Sequence, residues 1–101
     1  MVYQAHIVIP TDPDCAEAVI DKIKAGAAKE FGGFSLYDGT GGWVGSDGLI
    51  EENHVRIVIN ADTKNKRVVK GIIEAEARYI KHELEQDSVL YEIHEIDMEL
   101  V

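Results

Sequence analysis

Residues 34–60 read Phe34-Ser-Leu-Tyr-Asp-Gly-Thr-Gly-Gly-Trp43, then Val-Gly-Ser-Asp-Gly, then Leu49-Ile-Glu-Glu-Asn-His-Val-Arg-Ile-Val-Ile-Asn60. The Ser46-Asp47-Gly48 step is a turn signal, because Asp-Gly supplies the positive φ that tight hairpin turns require. Phe34–Trp43 and Leu49–Asn60 are therefore expected to form one long hairpin. With Asp47 and Gly48 at the centre of the turn, Tyr37 faces Val58, Leu36 faces Ile59, Gly41 faces His54 and Trp43 faces Glu52. Phe34, Leu36, Val55, Ile57 and Ile59 then share one face. A slip of one residue would send that set to the opposite face, so the apolar pattern supports the pairing.

The flanks extend the pattern. Val2–Ile9 alternates, with Tyr3, Ala5, Ile7 and Ile9 on one side, and stops at Pro10. Asp12-Pro13 is a helix start, with Asp12 as cap and Pro13 at the first helical position. Ala16, Val19, Ile20, Ile23 and Ala27 follow at helical spacing, and Gly32-Gly33 ends the element. Lys64–Glu85 is the second helix. Its buried stripe is Val68/Val69, Ile72/Ile73, Tyr79/Ile80 and Leu84, and Glu74–Arg78 is an outward i,i+4 pair. Val89–Asp97 is the last strand, with Val89, Tyr91 and Ile93 facing the core. The order βαββαβ predicts an α+β, ferredoxin-like domain over residues 1–101. Its four-stranded antiparallel sheet has the order 4-1-3-2 and two helices on one face.

The totals agree with a single small domain. The 101 residues are 46% hydrophobic and 29% charged, and a chain of this size buries roughly 60–70% of its unfolded surface. The core is thin, and association would help it. A net charge of −9 disfavours direct contact with nucleic acid or an anionic membrane, since each phosphate contact needs a Lys or Arg. It leaves room for a basic protein partner. The single cysteine, Cys15, excludes an internal disulfide and paired-cysteine zinc sites, and reads as structural. Neither a signal peptide nor a segment of membrane-spanning length is present, which makes the cytoplasm the expected location.

Helices on one face leave the other open. That face is expected to carry Gln4, His6 and Val8; Tyr37, Gly39, Gly41 and Trp43; His54, Arg56 and Val58; and Glu92, His94 and Ile96. Its apolar members, with Val2 and Leu90, are more than a monomer ordinarily exposes, so a homo-oligomer, dimer or trimer, is expected. Three of the four histidines, His6, His54 and His94, lie here. Imidazoles suit zinc or nickel, and also acid–base chemistry near neutral pH. The commoner role for such residues is half-buried packing. The register keeps His54 away from His6, so His6 with His94 is the pair to examine for metal or catalysis. Asp38-Gly39-Thr40-Gly41-Gly42-Trp43 lets backbone approach a ligand closely. No Lys-Ser/Thr and no helix follow it, so it is neither a phosphate loop nor a dinucleotide fingerprint. No cofactor is implied.

Gly32-Gly33-Phe34-Ser35, Gly39-Thr40-Gly41-Gly42-Trp43, Asp47-Gly48-Leu49 and Glu51-Glu52 together resemble a pattern in small bacterial and phage proteins. In these, Gly-Gly-x-Thr leads to Gly-x-Gly-x-Trp, a turn and a Glu opening the next strand. Ser35 stands here for the Thr. The resemblance covers a quarter to a third of the chain, implies a ferredoxin-like fold and brings no activity with it. A weaker similarity runs to PII-like and CutA-like trimers, which place a functional loop between the second and third strands. Nucleotide phosphates would need basic residues there, and Arg56 is the sole strand candidate.

The resulting expectation is a non-catalytic binding or regulatory domain. It would engage a small ligand or protein through Tyr37, Gly39, Gly41, Trp43, His54 and Arg56, and a phage-type inhibitor of a host protein is one version. The alternatives are a purely structural subunit and an enzyme of the dimeric α+β barrel kind. In the enzyme, His6 or His94 would be the base and Arg56 would hold an anion.

Overall fold

The computed structural model describes residues 2–101. In chain order the elements are β1 (Val2–Pro10), α1 (Ala16–Phe31), β2 (Ser35–Gly45), β3 (Gly48–Ala61), α2 (Lys66–Glu83) and β4 (Tyr91–Ile96). All strand pairings are antiparallel, in the order β2-β3-β1-β4, which is the expected order read from the other edge. The fold is α+β and ferredoxin-like.

The core lies between the sheet and the two helices. Ile7 pairs with Ile57, and Ile9 with Val55. Ile7, Ile9 and Ile57 are fully buried, as are Val69, Ile73 and Ile80 of α2. Burying each such side chain contributes about 1.5–3 kcal/mol. From α1, Ala16, Val19, Ile23 and Ala27 close the layer, as their spacing predicts. Val68 is half exposed, so the α2 stripe runs through Val69, Ile73, Ala77 and Ile80.

Helix boundaries differ from expectation in ways that capping explains. Pro13 belongs to a turn that leads into α1, where the Ala16 amide donates to the Pro13 carbonyl, and Cys15 sits at the N-cap with no side-chain capping bond, its thiol donating instead to the Glu83 carbonyl at 3.5 Å. Gly32 ends α1 in the left-handed conformation (φ 83°), where its amide meets the Ala28 carbonyl. At α2, Asn65 Oδ1 accepts from the Val68 amide, so capping shifts the start two residues beyond Lys64.

The hairpin register is two residues away from the expected one. Tyr37 pairs with Arg56, Gly39 with His54, Gly41 with Glu52 and Trp43 with Ile50. The two turn residues are Ser46 and Asp47, and Gly48 opens β3 at φ 114°. The glycine therefore supplies its positive φ at the exit of the turn instead of its centre. An even shift keeps every side chain on its face, so the expected face assignments survive the wrong partners. The paired strands continue to Gly45–Gly48 as an arm beyond the helices. There Val44 is 82% and Leu49 67% exposed, although they lie on the face that nearer the base is core.

Ile57 is fully buried within the core, so Ile57→Ala is expected to cost about 2–5 kcal/mol. The loss should appear as a lower denaturant midpoint with an unchanged slope.

Candidate functional site

Along the open face, β3 presents Ile50, Glu52, His54, Arg56 and Val58 in alternate positions. Trp43 lies opposite Ile50, Gly41 opposite Glu52, and Gly39 opposite His54. Pro10 and Val8 of β1 stand opposite His54 and Arg56. The α2–β4 connection, Gln86–Leu90, closes the other side, and Leu90 is tied to β1 by its carbonyl, which accepts from the Val8 amide at 3.0 Å. Together these segments line a cleft of about 470 Å³, within the usual small-molecule range of about 300–1,000 Å³.

The glycines shape its floor. A Cβ at Gly39 would lie 2.7 Å from His54 Nε2, and one at Gly41 would lie 3.7 Å from the same ring. The bare backbone of β2 is therefore where the His54 imidazole rests. Trp43 is about half exposed at one end of the cleft, and Arg56 is at the other. Glu52 and Asp87 bring negative charge to the walls, while Val8, Pro10, Val89 and Leu90 make part of them apolar. Such a site suits a flat aromatic group joined to a cationic or zwitterionic one.

Beside the cleft runs a chain of polar side chains across β3, β1 and β4. Arg56 Nη1 donates to Glu92 Oε2 at 2.7 Å and to His6 Nδ1 at 3.2 Å. With Nδ1 accepting, the neutral ring carries its proton on Nε2, which donates to Gln4 Oε1 at 2.8 Å. Gln4 Nε2 in turn donates to Asn60 Oδ1 at 3.1 Å. His94 meets His6 edge to face, with ring centroids 5.6 Å apart, and its Nε2 is 4.0 Å from Glu92 Oε2. Burial, followed by the Arg56 charge, lowers the His6 pKa, and Glu92 works in the opposite direction. The hydrogen bond from Arg56 is the main reason the Glu92 carboxyl is held below its usual range.

Of the residues singled out from sequence, Gly41, Trp43, His54 and Arg56 converge on the cleft. Gly39 lies under His54 and borders a shallower hollow with Thr11, Asp38, Thr40 and Asn53. Tyr37 is 58% exposed and stands outside the lining. His6 and His94 do meet, as the strand faces predict, and His54 is apart from them, opposite Pro10. Among the described residues no group of three or more His, Cys, Asp or Glu side chains is placed to hold a metal. Sequence reasoning missed Glu52 and the Gln86–Leu90 wall as cleft residues. The even spacing of Glu52, His54 and Arg56 is the available signal for the first; for the second, the sequence places Val89 and Leu90 on the last strand and carries no signal for the path of Gln86–Ser88. A second hollow, at Val2, Asp97, Met98 and Glu99, is smaller, about 300 Å³, and offers no aromatic or basic group.

No protein-family model matches the chain, and no curated protein does. Solved structures with the same architecture include a phage SAM lyase in complex with S-methyl-5'-thioadenosine. It has a TM-score of 0.71 and 23% identity, and the match covers 93% of this chain and 81% of that one. The apo state of a phage SAM lyase gives 0.68 and 24%, over 91% and 78%. At this identity the likeness establishes the fold. It also corrects the expectation of a non-catalytic binding or regulatory domain, and with it the inhibitor version, since both neighbours are structures of an enzyme. The physical reason for the error lies in the open face. Its apolar residues were assigned to assembly and its His54 and Arg56 to ligand binding, whereas Arg56, Glu92 and His6 form one charged network beside a cleft.

The His6 environment yields a pH prediction. A histidine whose folded pKa lies below its unfolded value contributes stability above about pH 6.5, and this is lost as pH falls through the lowered value. Proton NMR should give a His6 midpoint under 6.5, moving upward in Arg56→Gln. A midpoint at or above 6.5 in the unaltered protein would refute the described geometry.

Proposed function

We propose that this chain is a lyase that cleaves S-adenosylmethionine in the cleft between Trp43 and Arg56, releasing S-methyl-5'-thioadenosine. The observation that carries the reading is the cleft itself. It has an aromatic end, an acidic middle and a cationic end, within a chain that matches a phage SAM lyase over 93% of its length. Trp43 offers a face for the adenine, and Glu52 and Asp87 attract the sulfonium.

The chemistry follows from charge. The bond between sulfur and the four-carbon amino-acid chain breaks, and its electron pair passes to sulfur. The sulfonium becomes a neutral thioether. No water is added, so the carbon fragment must satisfy itself. It does so by losing a proton from the adjacent carbon to a base, giving an alkene, or by closing through its own carboxylate. The positive charge on sulfur disappears along either path, and a wall such as Val8, Pro10 and Leu90 penalises the charged ground state more than the transition state. Glu52 then serves binding more than bond breaking.

Incubation of the purified protein with S-adenosylmethionine should release S-methyl-5'-thioadenosine, read by mass spectrometry, well above the substrate's own decay in buffer. Glu52→Gln should raise KM more than it lowers kcat. Release no faster than in buffer would overturn the proposal.

Assembly of identical copies belongs to the same reading. The arm exposes Trp43, Val44, Leu49 and Ile50 on its two sides, and a second copy is the partner that every solution of this protein supplies. Light scattering should give the mass of a dimer or trimer, reduced to a monomer by Val44→Glu with Leu49→Glu. A monomeric unaltered protein would refute this.

A further inference from the structure

We propose that Arg56 and Glu92 form the subsite for the α-amino-acid end of the substrate, Arg56 receiving the carboxylate and Glu92 the ammonium; this rests on the reading that the cleft takes S-adenosylmethionine. Three observations lead there. First, Arg56 is the one Arg or Lys among the described residues that line the cleft. Its Nη1 is occupied by Glu92 and His6, and no acceptor among the described residues meets Nη2 or Nε. That edge of the guanidinium is a two-point donor of the shape a carboxylate accepts. Second, Glu92 Oε2 is engaged by Arg56 while Oε1 has no donor among the described residues. A fixed positive and negative pair 2.7 Å apart is the complement of a zwitterion. It selects against phosphates, whose charge Arg56 would welcome and Glu92 repel.

Third, the order of groups along the sheet matches the order of groups in the molecule. Following β3 from the arm inward, Ile50 brings Trp43, then come Glu52 and His54, then Arg56. S-adenosylmethionine presents its base, its sulfonium and its amino acid in the same sequence. The network behind the pair fixes it in place. His6 Nδ1 accepts from Arg56, and His6 is held through Gln4 to Asn60. His6 is thus a positioning residue, and the amino-acid end meets a guanidinium already oriented before binding.

Two stable ligands separate this subsite from the rest of the cleft. S-methyl-5'-thioadenosine lacks the amino-acid end, and S-adenosylhomocysteine carries it on a thioether. Titration of each, followed by Trp43 fluorescence or calorimetry, gives affinities for the unaltered protein, Arg56→Gln and Arg56→Lys, with melting temperatures confirming that each folds. In the unaltered protein S-adenosylhomocysteine should bind at least tenfold more tightly, or about 1.4 kcal/mol. Arg56→Gln should erase that advantage and leave the thioadenosine affinity unchanged, and Arg56→Lys should restore part of it. Glu92→Gln should also reduce it. If both ligands bind and the advantage is absent, or survives in Arg56→Gln, the subsite is wrong while the cleft reading stands. If neither ligand binds the unaltered protein, the substrate reading fails and the subsite falls with it.

Discussion

The pairing of β1 with β3 is the constraint on which the rest of the molecule depends. Ile7 opposite Ile57, flanked by Ala5–Ile59 and Ile9–Val55, makes a continuous buried strip. Against that strip α2 sets Val69, Ile73 and Ile80, and α1 sets Val19 and Ile23. Because side chains alternate along a strand, burying the odd-numbered residues of β1 and β3 forces His6, Val8, His54 and Arg56 onto the other face. The polar network and the cleft are thus consequences of core register. A chain that slipped by one would lose the core and the site together.

This dependence explains how much was legible beforehand. Strand order, helix positions and the membership of each sheet face follow from apolar periodicity, and they hold in the structure. The hairpin partners do not, because alternation has a period of two and cannot distinguish a register from one shifted by two. The Asp47-Gly48 signal was real. What it left open was whether the glycine sits within the turn or just after it, and Gly48 at φ 114° takes the second place. The start of α1 differs for a similar reason: Asp12-Pro13 has the composition of a cap, and its geometry is a turn from Pro13 to Ala16 that leads into a helix whose N-cap, Cys15, makes no side-chain capping bond.

The site was legible where it rests on strands. Gly41, Trp43, His54 and Arg56 share a face by parity alone. The Gln86–Leu90 wall depends on how the chain leaves α2, where Glu85 adopts a left-handed conformation (φ 50°) and the Gln86 amide reaches back to the Lys81 carbonyl. No pattern in Gln86-Asp87-Ser88 specifies that path. The functional misreading had a different source. The expected ligand site held Arg56 without Glu92 and His6, and it is their bonds to Arg56 that turn part of the face into an oriented electrostatic device.

A strongly acidic chain that places one Arg in its cleft gives that residue unusual weight. With a net charge of −9 the mean field favours cations, which suits a sulfonium and opposes phosphorylated nucleotides. Arg56 does not reverse this field, because Glu92 neutralises it at 2.7 Å. What the pair adds is direction: a local dipole whose positive end, Arg56, lines the cleft and whose negative end, Glu92, stands beside it. A ligand that is cationic in the middle and dipolar at one end meets favourable charge along its whole length, and its neutral thioether product does not. On the proposed reaction, loss of the sulfonium charge therefore weakens the hold on the thioadenosine half as the bond breaks. The electrostatics that gather the substrate also favour release of the product.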